Sequence, residues 1–183
     1  MIKIFKIRPW RKTHINGPLV GMPVKKAAVL GKLIKKAKRP LLIVGGYEYE
    51  TEIENGKRYI DYLIDLAKSG IPVVATTEVA KIFNENGVKP VAIMSVSNTI
   101  QRICDENWKG FDGNGPYDWV IIAAMTYTIQ SQAHSAMKHF AYKWTKSVSL
   151  DRYLTPNADF SFANFKVDEW KEAIKEVIKI ATE

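Results

Sequence analysis

The chain has 183 residues, of which 46% are hydrophobic and 25% are charged, as in a globular protein with one domain of ordinary size. No segment approaches the roughly 20 apolar residues of a membrane span, and the basic amino terminus lacks the apolar stretch and the cleavage site of a signal peptide. The single cysteine, Cys104, excludes an intrachain disulfide and a cysteine-rich metal site. We therefore expect a cytoplasmic protein with no membrane partner.

Basic residues outnumber acidic ones, which gives a net charge of +8. Much of the excess lies in two stretches, residues 3–12 and residues 25–39. No aromatic residue interleaves with the second stretch, and no helix-turn-helix or RNA-binding signature accompanies it. A solvated helix face, or a face that docks on an acidic protein, is therefore preferred over a nucleic-acid partner.

Residues 1–23 are interpreted as an extension, because glycines and prolines interrupt the chain after a short apolar strand pattern at 2–7. A helix is predicted over residues 24–37, where apolar residues recur at helical spacing. From there on, short apolar runs alternate with helical patterns. Residues 24–183 are therefore expected to form a single domain.

Four runs are almost entirely apolar, as is typical of strands buried on both faces of a parallel sheet. They lie at 40–44, 71–75, 117–124 and 147–150, and a shorter strand is predicted at 91–94. Further helices are predicted at 59–68, 78–84, 95–107, 129–140 and 168–180. Right-handed crossovers then give a sheet covered by helices on both faces. The expected fold class is α/β, a three-layer Rossmann-like domain with a mainly parallel sheet, whose strand order the pattern leaves open.

Ligands of open α/β sheets bind outside the carboxyl ends of the strands, and three short segments lie there. Gly45 and Gly46 follow the first buried strand and fit either a sharp turn or close backbone approach to a cofactor. Thr76 and Thr77 follow the second one, where a helix cap and a pyrophosphate site explain them equally well. Asp151 closes the last strand, either as an acceptor for a ligand hydroxyl or in a structural role. If a nucleotide binds, we expect it at these five residues.

Other chemistry has little support in the sequence. The glycine spacings of dinucleotide and P-loop motifs are missing after Gly46, and the acidic sequence that follows would repel a phosphate. His134 and His139 lie about 140° apart around a helix, so they are not expected to share a metal. Cys104 lies beside two acidic residues, which would raise its pKa. We therefore expect no metal site and no catalytic residue.

The segment 149–165, SLDRYLTPNADFSFANF, is interpreted as a strand end followed by a long loop, because Pro156 and Asn157 interrupt regular structure. Its aromatic residues either form a partner surface or fold back over the sheet edge. Aromatic residues and arginine dominate interface hot spots. The candidate partner surface therefore comprises this loop and a glycine-rich loop beside it, with Arg152, Tyr153, Phe160, Phe162, Trp108 and Phe111.

Four segments resemble the epsilon subunit of the archaeal acetyl-CoA decarbonylase/synthase complex, which contains carbon monoxide dehydrogenase. They are KKAKRPLLIVGG at 35–46, GIPVVAT at 70–76, WKGFDGNGPYDWVII at 108–122 and the segment 149–165. The last two are long and unusual, and they carry the resemblance. It runs from about residue 24 to residue 165, whereas residues 1–23 match poorly.

The resemblance implies a fold like the DHS-like NAD/FAD-binding domain, found in thiamine-diphosphate enzymes and sirtuins. It also implies an accessory, non-catalytic subunit that joins the large alpha subunit, the carrier of the nickel–iron–sulfur cluster, in acetyl-CoA synthesis or cleavage. One cysteine suits that role, since iron–sulfur clusters need several thiolates. No cofactor is required, but analogy of fold implies FAD and a part in electron transfer. The alternative function is a stand-alone flavin- or nucleotide-binding redox protein that uses the same strand ends.

Overall fold

The computed structural model describes residues 21–183, so the strand pattern at 2–7 lies outside the described residues. Seven of the strands between residues 21 and 183 form one sheet: β1 Met22–Val24, β2 Pro40–Val44, β5 Val73–Ala75, β6 Ala92–Ile93, β7 Trp119–Ala123, β8 Lys146–Ser149 and β9 Phe160–Phe162. Their order across the sheet is β1-β9-β8-β7-β2-β5-β6, and every neighbouring pair is parallel. All five predicted strands lie in this sheet.

Six helices connect or follow these strands in the described chain: α1 Ala27–Lys36, α2 Tyr59–Lys68, α3 Thr77–Glu85, α4 Val96–Ile103, α5 Tyr127–Phe140 and α6 Val167–Thr182. The apolar core has two parts, one on each face of the sheet. In β2, Leu42 and Val44 belong to the part that contains α1, α2, α3 and α6. Leu41 and Ile43 belong to the other part, with α4 and α5. The expected three-layer α/β class is therefore confirmed, and the DHS-like assignment stays a prediction.

The segment that was interpreted as a long loop contains a strand. Phe160–Phe162 forms β9, which pairs with β8 on one side and with β1 on the other. Phe162 is fully buried in the core. The interpretation as an irregular loop was therefore wrong at these three residues, because a pairing partner far away in the sequence supplies their hydrogen bonds.

The polar stretch after β2 also contains strands. Glu52–Glu54 and Lys57–Arg58 form the antiparallel pair β3–β4. Asn55 and Gly56 join the two strands with φ angles of 49° and 78°. An Asn-Gly pair with two positive φ angles is typical of a tight hairpin turn. This turn could therefore have been predicted from the sequence.

The boundary proposed between the extension and the domain falls inside β1, since Met22 and Pro23 pair with Phe160 and Ser161 of β9. The division at residue 23 stays a prediction. No helix in the part of the chain that the structure describes is long and apolar enough to cross a membrane.

Candidate functional site

A pocket opens at the carboxyl ends of the central strands, where the sequence predicts a cofactor site. Its volume is about 600 Å³, within the range of roughly 300–1,000 Å³ that is usual for ligand pockets. Of the five predicted site residues, Gly46, Thr76 and Thr77 line it, whereas Gly45 and Asp151 do not. The remaining lining residues come from the segments that follow β2, β5, β6 and β7: Tyr47, Glu78, Met94, Ser95, Val96, Ser97, Met125, Thr126 and Ile129.

Three helices, α3, α4 and α5, begin at this pocket. Their N-cap residues are Thr76, Ser95 and Thr126, and all three line it. The Ser95 hydroxyl accepts a hydrogen bond from the Asn98 amide at 3.3 Å. The Thr76 hydroxyl is buried and forms no hydrogen bond with any described residue. Helix N-termini carry free N–H groups and partial positive charge, so this backbone arrangement suits an anion.

Glu78, in the first turn of α3, is the charged member of the pocket lining. Its side chain lies over Gly46, so close that a Cβ atom on that glycine would collide with Oε2 of Glu78. A diphosphate approaching the Gly46 backbone would therefore meet a carboxylate at short range. With Glu78 in this place, the residues do not fit the diphosphate of FAD at Gly46, although the hydroxyl groups and helix N-termini around them suit an anion.

Asp151 lies behind the pocket wall, and its carboxylate accepts four hydrogen bonds from the protein. The Ala124 amide donates to Oδ1 at 3.0 Å and the Met125 amide donates to Oδ2 at 3.1 Å. The Tyr59 hydroxyl donates to Oδ1 at 3.2 Å, and the Gln130 side-chain amide donates to Oδ2. Burial raises the pKa of Asp151 to about 6, against the opposing effect of its hydrogen-bond donors.

These bonds fix the turn that carries one side of the pocket. Ala124 has a φ angle of 54°, in the left-handed region, and its carbonyl accepts a hydrogen bond from the Tyr47 amide at 2.9 Å. The side-chain carbonyl oxygen of Gln130 accepts a hydrogen bond from the Ser149 hydroxyl at 2.6 Å. This bond connects α5 to β8. Asp151 thus supports both Met125 and Tyr47 from behind. This geometry agrees with its structural interpretation, while direct contact between Asp151 and a cofactor stays a prediction.

Comparison with known proteins places the chain in one family. Residues 3–178 match the family described as CO dehydrogenase beta subunit/acetyl-CoA synthase epsilon subunit. The chain belongs to this family. The expectation that residues 1–23 match poorly was wrong, since the match begins at residue 3.

Several curated relatives of this epsilon-subunit family are about one-third identical to the chain. Subunit epsilon 1 of the acetyl-CoA decarbonylase/synthase complex of Archaeoglobus fulgidus is 35% identical over 78% of this chain and 74% of its own length. Subunit epsilon from Methanothrix soehngenii is 34% identical over 93% of this chain and 89% of its own length. Subunit epsilon from Methanothermobacter thermautotrophicus is 33% identical over 90% of this chain and 91% of its own length.

The aromatic residues predicted as a partner surface point in two directions in this epsilon-subunit fold. Phe162 is buried, and Phe160 stacks on Trp119 with ring centroids 5.5 Å apart. The prediction that Phe162 anchors a partner was therefore wrong, because β9 turns it into the core. Tyr153 lies near the strand ends, where its ring is 6.5 Å from that of Tyr127.

The second candidate loop is held by the domain itself. The Trp108 and Phe111 rings lie 4.9 Å apart, edge to face, and both residues are partly buried against the core beneath α4 and α5. The Arg39 guanidinium binds the Asp112 carboxylate of this loop at 2.8 Å. The loop therefore has an internal structural role in addition to any contact with a partner.

The histidines and the cysteine form no shared site. His134 is completely buried, where burial lowers its pKa to about 3, and neither ring nitrogen bonds to a described residue. The His139 ring lies 2.7 Å from the Ser135 carbonyl oxygen on the same helix. Within residues 21–183 no three metal-ligating side chains come together. The pKa of Cys104 is raised, as expected, but the cause is burial rather than its acidic neighbours.

Sequence reasoning missed most of the pocket lining. Tyr47 directly follows the glycine pair, and Glu78 follows the threonine pair, so both positions were within reach of the same carboxyl-end argument. Met125 follows β7 almost directly, so its position was within the same reach. Ile129 gave no such signal, because an apolar side chain near the start of a helix resembles any core residue, and it became visible as a lining residue only through the three-dimensional arrangement.

Proposed function

We propose that the chain is an accessory subunit of an archaeal acetyl-CoA decarbonylase/synthase complex, without a catalytic site of its own. In this role it binds and stabilises the carbon monoxide dehydrogenase alpha subunit. The observation that carries the proposal is the match along nearly the whole chain to relatives named subunit epsilon of that complex. The relatives and this chain cover each other almost end to end, which favours the same part in the assembly.

The surface around the pocket supports a binding role. Tyr47, Tyr127 and Ile129 are each more than 40% exposed there. Arg152 lies over the ring of Tyr153, 4.1 Å from its centroid, beside the same strand ends. Tyrosine and arginine are the residue types that supply much of the binding energy in protein interfaces.

FAD binding and a part in electron transfer remain a second proposal. Thr76 and Thr77 lie at the N-terminus of α3, and α4 and α5 also begin at the pocket, which favours an anionic cofactor there. Glu78 opposes the diphosphate at Gly46, so this proposal ranks below that of a binding subunit.

The decisive experiment mixes the purified chain with the separately purified alpha subunit and measures the complex by gel filtration and calorimetry. We expect a stable complex and a higher melting temperature of the alpha subunit, because a partner that binds only the folded state stabilises it. The visible absorption spectrum of the same sample reports bound flavin. Two components that elute separately, with the melting temperature of the alpha subunit unchanged, would contradict the proposed function.

A further inference from the structure

The pocket at the strand ends lies within an exposed apolar surface. Two large apolar residues of its lining are strongly exposed, Tyr47 at 42% and Ile129 at 41%. Two more lie next to lining residues in the sequence, Tyr127 at 47% and Ile93 at 53%. A second depression, between α4 and α5, shares Val96, Ser97 and Ile129 with the pocket and extends it along the helices. Clustered exposed apolar residues of this kind mark interaction sites on soluble proteins.

Three carboxylates lie in or beside this pocket. Glu78 lines the pocket, and Glu48 and Glu50 are exposed on the neighbouring loop. The charge of Glu48 raises the pKa of Tyr47, which places the carboxylate close to the pocket rim. Among the described residues, none forms an ion pair with any of these three glutamates. Two cations lie close to this loop: Arg152, over the ring of Tyr153, and Arg58, which pairs with Asp61 and also interacts with the charge of Glu50.

The location of Glu78 excludes one class of occupant and favours another. The N-terminus of α3 would otherwise attract an anion, but the Glu78 carboxylate already occupies its first turn. Beside Gly46, the full charge of Glu78 opposes a second anion and attracts a cation, against the partial positive charge of the α4 and α5 N-termini that face the same pocket. Beneath the apolar rim, the volume of about 600 Å³ leaves room for an inserted side chain.

We propose that this pocket and its rim are the docking surface for the partner subunit, which inserts a lysine or arginine side chain towards Glu78. The inference rests on the proposed function, since the partner is the alpha subunit of the complex. The tyrosines and Ile129 pack around the inserted group and exclude water from it, and the glutamates attract the basic partner segment.

The test measures the affinity of the alpha subunit for four variants of the full chain, by calorimetry or biolayer interferometry. Glu78→Gln removes the charge at the pocket, and Glu106→Gln makes the same change at an exposed residue beyond the carboxyl terminus of α4, at the opposite end of the sheet. Ile129→Asn places a neutral polar group on the apolar rim, and Phe140→Asn does so at the far end of the same helix, at a residue 67% exposed. Thermal unfolding of each variant verifies that it is folded.

We expect the dissociation constant to rise at least tenfold for Glu78→Gln and for Ile129→Asn, and to change less than twofold for their two controls. The affinity of the wild-type chain should fall with added salt, and that of Glu78→Gln should depend less on salt, because an attraction between charges is screened. The proposal does not require that any salt concentration restore the affinity of either variant.

Four results would overturn the inference. Equal affinity of all four folded variants would remove this surface from the interface while leaving the proposed function intact. Absence of wild-type binding would defeat both the proposed function and this surface. Binding of FAD to the wild-type chain that displaces the alpha subunit, or self-association that Glu78→Gln abolishes, would assign the pocket to a different occupant.

Discussion

The Asp151 carboxylate holds Ala124 in a left-handed backbone conformation by accepting its amide hydrogen at 3.0 Å, with φ of Ala124 at 54°. A residue with a Cβ atom pays roughly 1–2 kcal/mol for such a conformation. The bond to Asp151 offsets this strain and leaves the Ala124 carbonyl free to accept from Tyr47. One carboxylate behind the pocket therefore determines the shape of two of its walls.

The raised pKa of Asp151 makes the stability of the wild-type chain depend on pH. The pKa of this carboxyl group rises from the ordinary 3.8 to about 6 in the folded state, so folding favours its protonated, neutral form. This contribution is complete below pH 4 and is lost as the pH rises through 6. We expect the free energy of unfolding of wild type relative to Asp151→Asn to fall by about 2 kcal/mol between pH 4 and pH 7.

Urea unfolding of both proteins at several pH values measures this difference. Asp168→Asn, at an exposed residue in the first turn of α6, is measured beside it as a control for the removal of a surface carboxylate. A difference between wild type and Asp151→Asn that stays constant with pH would show that the folded and unfolded pKa values of Asp151 are the same.

Phe162 is expected to act through stability. Phe162→Ala should lower the free energy of unfolding by about 3–5 kcal/mol, as is usual for a phenylalanine removed from a packed core. Phe140→Ala, at a residue 67% exposed, should change it by less than about 0.5 kcal/mol. Chemical denaturation reports both values. A small loss for Phe162→Ala would return this residue to the list of candidate interface anchors.

The two glycines after β2 should differ in their tolerance of a methyl group. A Cβ atom on Gly45 would lie 2.5 Å from the carbonyl oxygen of Ala124, a backbone atom that cannot move freely. Gly45→Ala should therefore destabilise the fold by about 1–3 kcal/mol. At Gly46 the colliding atoms belong to the exposed Glu78 side chain, so Gly46→Ala should cost less than about 1 kcal/mol. Equal losses in thermal unfolding would contradict this distinction.

Glu78 should also control the response to FAD. We expect Glu78→Gln to bind FAD at least tenfold more tightly than the wild-type chain, because the variant removes the charge that opposes the diphosphate. Thr76→Glu should bind no FAD, since it adds a charge at the same helix N-terminus. Flavin fluorescence on titration provides the measurement. The same affinity in all three proteins would place FAD outside this pocket.

The main strands were predictable because each is an apolar run between helical patterns, and local sequence is sufficient for that. The strand Phe160–Phe162 was not, since three residues carry no period and its partners lie elsewhere in the chain. At the site, the carboxyl-end rule found Gly46, Thr76 and Thr77. It also selected Asp151, whose side chain turns away from the pocket because backbone donors of the neighbouring turn bind it.

The pairing of β1 with β9 has a consequence for synthesis of the chain. In the described structure β1 pairs with β9 alone, and some 136 residues of sequence separate Val24 from Phe160. A ribosome makes β1 early, yet this strand has no partner until translation has passed Phe162. Contacts between such distant segments form slowly and leave a strand edge exposed in the meantime. This edge of the sheet therefore forms only after Phe160–Phe162 has been made, later than the central pair of β2 and β5.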